Sequence, residues 1–311
     1  MSIELRLSDI DPPAPDPPRT IYRDIVNLPN PVLLGITVRY LNYDDVGLYF
    51  QITGAGTGYT FGTVNLGLLA SGTDAYRNLD QLASRAKPSP GDLTNGELDE
   101  SITLTLKAYT DAGYTTLKWT YNRVVSVKFI NSADAAFTVD FLNNFDDGTA
   151  QGWEVVAVTS NTAVSRGIST DYVLSTPYSL NLVMYWSGAT GATVQHITAR
   201  LYKSFTTPNK SQVYAIIDIR IWRGADSGSN WTRNKNYTIK KDTDVLAFFG
   251  RPYDTSYVED YFPQSKWMRV VVPLPPNTTL ELRVELDAAT VRNPINIIST
   301  LRMDDIKIIS K

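Results

Sequence analysis

The chain has 311 residues, 43% of them hydrophobic, and its 29 basic and 32 acidic residues leave a net charge of -3. That length and apolar content suit two buried cores, and charges spread along the chain give a nucleic-acid backbone no basic surface to bind. No cysteine and one histidine, His196, rule out disulfides, thiolate sites and any metal site with two imidazoles, and a serine-histidine-acid triad would have to use His196.

Residues 1–30 read as an N-terminal arm. Ile3-Glu4-Leu5-Arg6-Leu7 alternates as a short strand and is followed by Pro12, Pro13, Pro15, Pro17 and Pro18. Proline fixes φ and lacks an N–H, so this run predicts an extended polyproline spacer. Two readings stay open for the strand. It adds through Ile3, Leu5 and Leu7 to a neighbouring subunit's sheet edge, or it folds back on its own domain. The N-terminus lacks the basic and apolar run of a secretory signal, and no later segment is long and apolar enough to span a bilayer, so no membrane insertion is expected.

Residues 31–140 show strand after strand with period-two alternation, among them Gly47–Ile52, Ser101–Tyr109 and Val124–Ile130. β-branched and aromatic residues punctuated by Gly, Asn and Asp predict an antiparallel sandwich, read here as immunoglobulin-like. One short helix is expected over Thr73–Lys87, with Thr73 as N-cap, Tyr76, Leu79, Ala83 and Ala86 on one face, and Pro88 as the stop. Residues 138–143 are the expected hinge, or a strand shared across it. His196 falls in an alternating strand, where a hydrogen-bonded structural role is the simpler reading.

Residues 141–311 return to strands, including Ile197–Phe205, Val213–Trp222, Thr279–Leu286 and Ile297–Ile309. Gly224–Gln264, polar and then aromatic, is expected as an elaborated loop.

Phe145-Asp146-Asp147-Gly148, Gly152-Trp153, Pro177-Tyr178-Ser179-Leu180-Asn181-Leu182, Trp267 with Val270-Val271-Val272-Pro273-Leu274, and Met303-Asp304-Asp305-Ile306 occur in a familiar order. This half resembles the calcium-stabilised jelly-roll carbohydrate-binding modules. The resemblance implies a two-sheet jelly roll with a structural calcium between first and last strands, and Asp146, Asp147, Asp304 and Asp305 are its candidate ligands. Calcium takes six to eight oxygens, which two Asp pairs could supply in part; the alternative is turn and edge acids facing water. The resemblance also implies sugar stacking on aromatic rings, for which Trp231, Tyr253 and Tyr257 in the polar insertion are candidates.

The glycosidase pattern E-x-D-x-x-E fails at Glu97-Leu98-Asp99 and at Glu285-Leu286-Asp287, where the second glutamate is missing. Gly54-Ala55-Gly56-Thr57-Gly58 opens no helix and reads as a hairpin turn rather than a phosphate loop. The expectation is therefore an all-β chain of two sandwiches in series. Its expected role is non-enzymatic, as a structural or attachment protein of a virion, tail or extracellular filament, assembling by self-association or with other subunits and binding polysaccharide. The alternatives are an accessory carbohydrate-binding protein and a carboxylate-based glycan-active enzyme.

Overall fold

The structure is a computed structural model and describes residues 3–6, 20–33, 37–78, 82–159, 162–171, 173–174, 177–186, 195–223, 231–250, 267–291 and 297–311. The chain forms two compact units, Met1–Asp134 and Ala135–Lys311. It is all-β: the helices among the described residues are the 3-10 turns Ile25–Asn27 and Pro90–Asp92, and none is long and apolar enough to cross a membrane.

The first unit contains β1 (Ile3–Arg6), β2 (Thr20–Asp24), β3 (Val32–Leu33), β4 (Thr37–Asn42), β5 (Leu48–Ala55), β6 (Tyr59–Phe61), β7 (Val64–Leu69), β8 (Asp74–Asn78), β9 (Ala83–Arg85), β10 (Glu97–Tyr109) and β11 (Leu117–Ile130). These make a five-stranded sheet ordered β2-β11-β10-β5-β7 and two three-stranded sheets, β1-β4-β8 and β3-β9-β6. The alternation seen in the sequence sets the core. Ile102, Leu104, Leu106 and Ala108 of β10 point inward beside Val125, Val127 and Phe129 of β11, all fully buried, while the intervening polar residues face out.

The helix expected over Thr73–Lys87 is absent: residues 74–78 and 83–85 are the strands β8 and β9. The Thr73 hydroxyl does not cap a helix but donates back to the Ala70 carbonyl at 2.7 Å. Gly72 N–H donates to Asn42 O, and Asn42 N–H donates to Thr73 O, both at 2.9 Å. These bonds align the segment with β4, and β8 pairs with β4 from Thr37↔Asn78 to Leu41↔Asp74. A short isolated helix is marginal in water, whereas an open strand edge supplies a ready ladder.

The N-terminal strand pairs with β4 of its own chain, from Ile3↔Asn42 to Arg6↔Arg39, and Leu5 is fully buried in this unit's core. The structure thus has the arm folded back; Leu7 lies outside the described residues.

The second unit contains β12 (Thr138–Asn143), β13 (Glu154–Ala157), β14 (Thr162–Ser169), β15 (Ser179–Trp186), β16 (Gln195–Thr206), β17 (Val213–Arg223), β18 (Trp231–Lys241), β19 (Asp244–Gly250), β20 (Trp267–Leu274), β21 (Thr279–Val291) and β22 (Ile297–Ser310). One sheet runs β14-β15-β22-β17-β20, with β12 also paired to β22; the other runs β13-β16-β21-β18-β19. Strands from all along the unit interleave in this two-sheet sandwich. Trp153, Leu182, Leu201, Ile217, Val284 and Met303 are among its fully buried core residues.

Residues 138–143 are not a hinge but the first strand of the second unit, paired with its last strand from Thr138↔Ser310 to Asn143↔Ile306. The unit boundary falls at residue 134 rather than 140. Part of the expected long loop is a hairpin, β18-β19. Its turn residue Asp242 has φ +52°, donates its N–H to Glu281 O at 2.8 Å and accepts Glu281 N–H on Oδ1 at 2.9 Å, while Ile239 is fully buried.

Candidate functional site

The five-stranded sheet of the second unit buries one face and presents the other. On β16, Ile197, Ala199 and Leu201 point inward, and on β21 so do Leu280, Leu282, Val284 and Leu286. Strand alternation therefore puts Arg200 and Tyr202, with Glu281, Arg283 and Glu285, on the opposite face. Backbone register arranges them in rows: Glu154↔Tyr202↔Arg283↔Lys240 crosses β13, β16, β21 and β18, and Val156↔Arg200↔Glu285 lies beside it.

Glu285 is the centre of this face. Arg200 Nε donates to its Oε1 at 2.7 Å and Lys240 Nζ donates to Oε2. The Glu285 side chain is 7% exposed against 22% for Arg200 and 25% for Lys240. A carboxylate so withdrawn from water is stable only when paired and hydrogen-bonded, and the two cations meet that need. In the other row, the Tyr202 hydroxyl donates to Glu154 Oε2 at 2.7 Å. Its bond to that carboxylate, with burial second, raises the phenol's pKa above the usual value and keeps it a neutral donor. Arg283 pairs with Glu281. The result is a fixed field of donors and acceptors on a sheet, with the half-exposed Val156 beside it.

These residues escaped the sequence reading. Their signal was there: polar residues at every second position of Thr198–Ser204 and Glu281–Asp287. That alternation marks a solvated strand face equally well, and only register shows which charges meet.

The residues named as calcium ligands lie as two pairs near one end of the β12-β22 ladder. Asp146 accepts from Asn144, and Asp147 Oδ1 accepts the Thr149 N–H and hydroxyl, both at 2.9 Å, which hold its pKa below the ordinary carboxylate value. Asp304 is fully buried opposite Asp218, with Oδ2 accepting Leu174 N–H at 3.0 Å and Oδ1 accepting Asp305 N–H at 2.9 Å. Asp305 has φ +44° and lies 3.9 Å from Lys307. Among the described residues no three acidic or imidazole side chains converge as a cation site.

Of the aromatic candidates, Trp231 begins β18 opposite Val291, and Tyr253 and Tyr257 lie outside the described residues. His196 is placed in β16 opposite Ala289.

No family model matches the chain, and no curated protein matches it. Solved structures do. One, described as the basis for promiscuous specificity of carbohydrate-binding modules from the β-sandwich superfamily, is 13% identical over 95% of this chain and 94% of its own, with a TM-score of 0.34. A carbohydrate-binding module in complex with β-1,4-galactotriose is 9% identical over 54% of this chain and 94% of its own, at 0.30. The K1 cleaved adhesin domain of Lys-gingipain from Porphyromonas gingivalis W83 is 12% identical over 55% and 98%, at 0.34.

Proposed function

We propose that this chain is a non-catalytic attachment protein that holds a neutral polysaccharide on the outer face of the β13-β16-β21-β18 sheet, as a component of a larger assembly such as a virion, tail or extracellular filament. The observation that carries the reading is the Arg200–Glu285–Lys240 cluster beside the Tyr202–Glu154 pair. Sugar hydroxyls both donate and accept, so they suit a surface where guanidinium, ammonium, phenol and carboxylate groups are already oriented. The charges of this face balance, Arg200, Lys240 and Arg283 against Glu154, Glu281 and Glu285, which favours an uncharged ligand over an ionic one.

A carboxylate-based hydrolase fits this face less well. Glu281 and Glu285 stand four residues apart on one strand, about 13 Å by strand rise. Glycosidase carboxyl pairs are separated by roughly 5 to 9.5 Å. Both carboxylates are also ion-paired.

Affinity electrophoresis through gels containing neutral polysaccharides tests the reading. The parent protein is expected to be retarded by at least one, and an Arg200→Ala, Tyr202→Ala variant with unchanged circular dichroism to migrate freely. Equal retardation of parent and variant, or none across a broad neutral panel, would overturn it.

A further inference from the structure

Two contrasting rows of side chains cross the outer face of the first unit's five-stranded sheet. Phe50 and Ile52 of β5 and Leu106 and Ala108 of β10 are fully buried in the core, so strand alternation turns Tyr49, Gln51, Lys107 and Tyr109 to the opposite face. Register sets Leu68, Tyr49, Tyr109 and Leu117 side by side across β7, β5, β10 and β11. Leu68 is 61% exposed and Leu117 52%, so this apolar row opens to water. The next row, Asn65, Gln51, Lys107 and Thr120 on the same four strands, is polar.

Tyr114 completes the apolar row from the turn between β10 and β11. Its ring meets Tyr49 at 6.2 Å and 79° and Tyr109 at 5.6 Å and 83°, so the rings form a corner rather than a flat stack. Tyr114 has φ +56°, a backbone conformation that glycine or asparagine adopts at less steric cost than a bulky residue. Asp111 holds the turn in that shape. Its carbonyl accepts Tyr114 N–H at 3.2 Å, its Oδ1 accepts Gly113 N–H at 3.0 Å, and its Oδ2 accepts Thr116 N–H at 2.7 Å. Tyr49, Tyr109 and Tyr114 all stand outside the unit's buried core cluster. A fixed aromatic ring kept on a strained backbone outside the core points to a ligand rather than to packing.

The polar row is oriented as well. The Tyr109 hydroxyl donates to Gln51 Oε1 at 3.3 Å, and Gln51 Nε2 donates to Asn65 Oδ1 at 2.9 Å. Carboxamide, hydroxyl and ammonium groups thus border the rings, and neither row carries a carboxylate. Lys118, next along β11, is neutralised by Asp44 at 2.8 Å. The apolar row spans three strand spacings, about 14 Å, and gives way to polar side chains about 7 Å along the strands, a strip on the order of 100 Å². A protein partner needs roughly 800 Å² on each side. The strip instead has the length of a short oligosaccharide. A pyranose shows the same division, with C–H groups on its faces and hydroxyls on its rim.

We propose that this corner is a carbohydrate site in its own right, taking a neutral oligosaccharide whose pyranose faces pack on Tyr49 and Tyr114 and whose hydroxyls reach Gln51, Asn65 and Lys107. It shares no residue with the polysaccharide face of the second unit and does not rest on that reading.

Saturation-transfer NMR on the full chain tests the site, in the Arg200→Ala, Tyr202→Ala background that disables the other face. The probes are cellotetraose, mannotetraose and xylotetraose. At least one is expected to receive transfer at its ring C–H protons, and its affinity to fall about tenfold when Tyr114→Gly is added. Glycine takes the φ of this turn freely, so the variant is expected to keep the parent's circular dichroism and cooperative melting. No transfer to any of the three probes in that background, or an affinity unchanged by Tyr114→Gly, overturns the proposal, whether or not the second unit binds polysaccharide.

Discussion

Trp153 donates its indole N–H to Asn143 Oδ1 at 3.0 Å, and both side chains are buried, Trp153 fully and Asn143 to 5% exposure. This bond joins the end of β12 to the residue before β13 and sets the largest side chain of the second core. Lys203 Nζ donates to the same oxygen at 3.1 Å, and Asn143 Nδ2 donates to Gln151 Oε1 at 2.6 Å. Asn143→Ala removes one acceptor from two donors and strands the buried indole N–H. The expected loss is about 2 kcal/mol, read from urea unfolding at neutral pH. A loss below about 0.5 kcal/mol would show that the indole finds another partner or water.

Lys203 sits over the Phe141 ring at 4.4 Å and donates to Asn143 Oδ1 and the Gln151 carbonyl, and burial lowers its pKa. A lysine whose folded pKa lies below its unfolded value binds fewer protons when folded, so stability rises as pH climbs through the window between the two values. The unfolded value is about 10.4. Lys203→Met should therefore lose this rise. The check is the difference in unfolding free energy between parent and variant from neutral pH towards pH ~10, which cancels the tyrosines common to both. A constant difference across that range would refute the assignment.

Asp218 and Arg269 form a two-pronged pair on the β17-β20 ladder, at 2.9 Å and 2.6 Å, with side chains 2% and 11% exposed. Taking one member out of such a pair leaves a charge away from water. Asp218→Ala is expected to cost about 3–5 kcal/mol, and the Asp218→Ala, Arg269→Met double variant to regain most of it. Thermal melts of the three proteins decide this. A double variant as unstable as the single one would mean that packing, not charge, sets the loss.

Chelation decides whether the two Asp pairs, already hydrogen-bonded within the protein, also hold a calcium: without one, the melting midpoint of the full chain is expected to stay unchanged in EDTA. A ligand that binds only the native state would raise that midpoint by mass action. A fall in EDTA that calcium reverses would show that the native state binds calcium.

The fold class was legible because strand alternation is local. Leu104, Leu106, Val127 and Phe129 stand at every second position, and a sandwich core follows wherever such faces must leave water. The pairing of first and last strands in the second unit was also readable from Phe145-Asp146-Asp147-Gly148 and Met303-Asp304-Asp305-Ile306, but the direction of those carboxylates was not. Thr73–Lys87 carries a helical spacing that loses to the open edge of β4, a partner distant in sequence. The hairpin of β18 and β19 was hidden for a related reason: β18 pairs with β21, a partner distant in sequence, which aligns a segment that otherwise reads as polar loop.

By itself the sequence determined which residues leave water, because burial follows local periodicity and residue type. Which charges meet was decided only by tertiary structure. Arg200, Lys240 and Glu285 come from three strands and acquire their geometry from register, a property of strands paired across tens of residues.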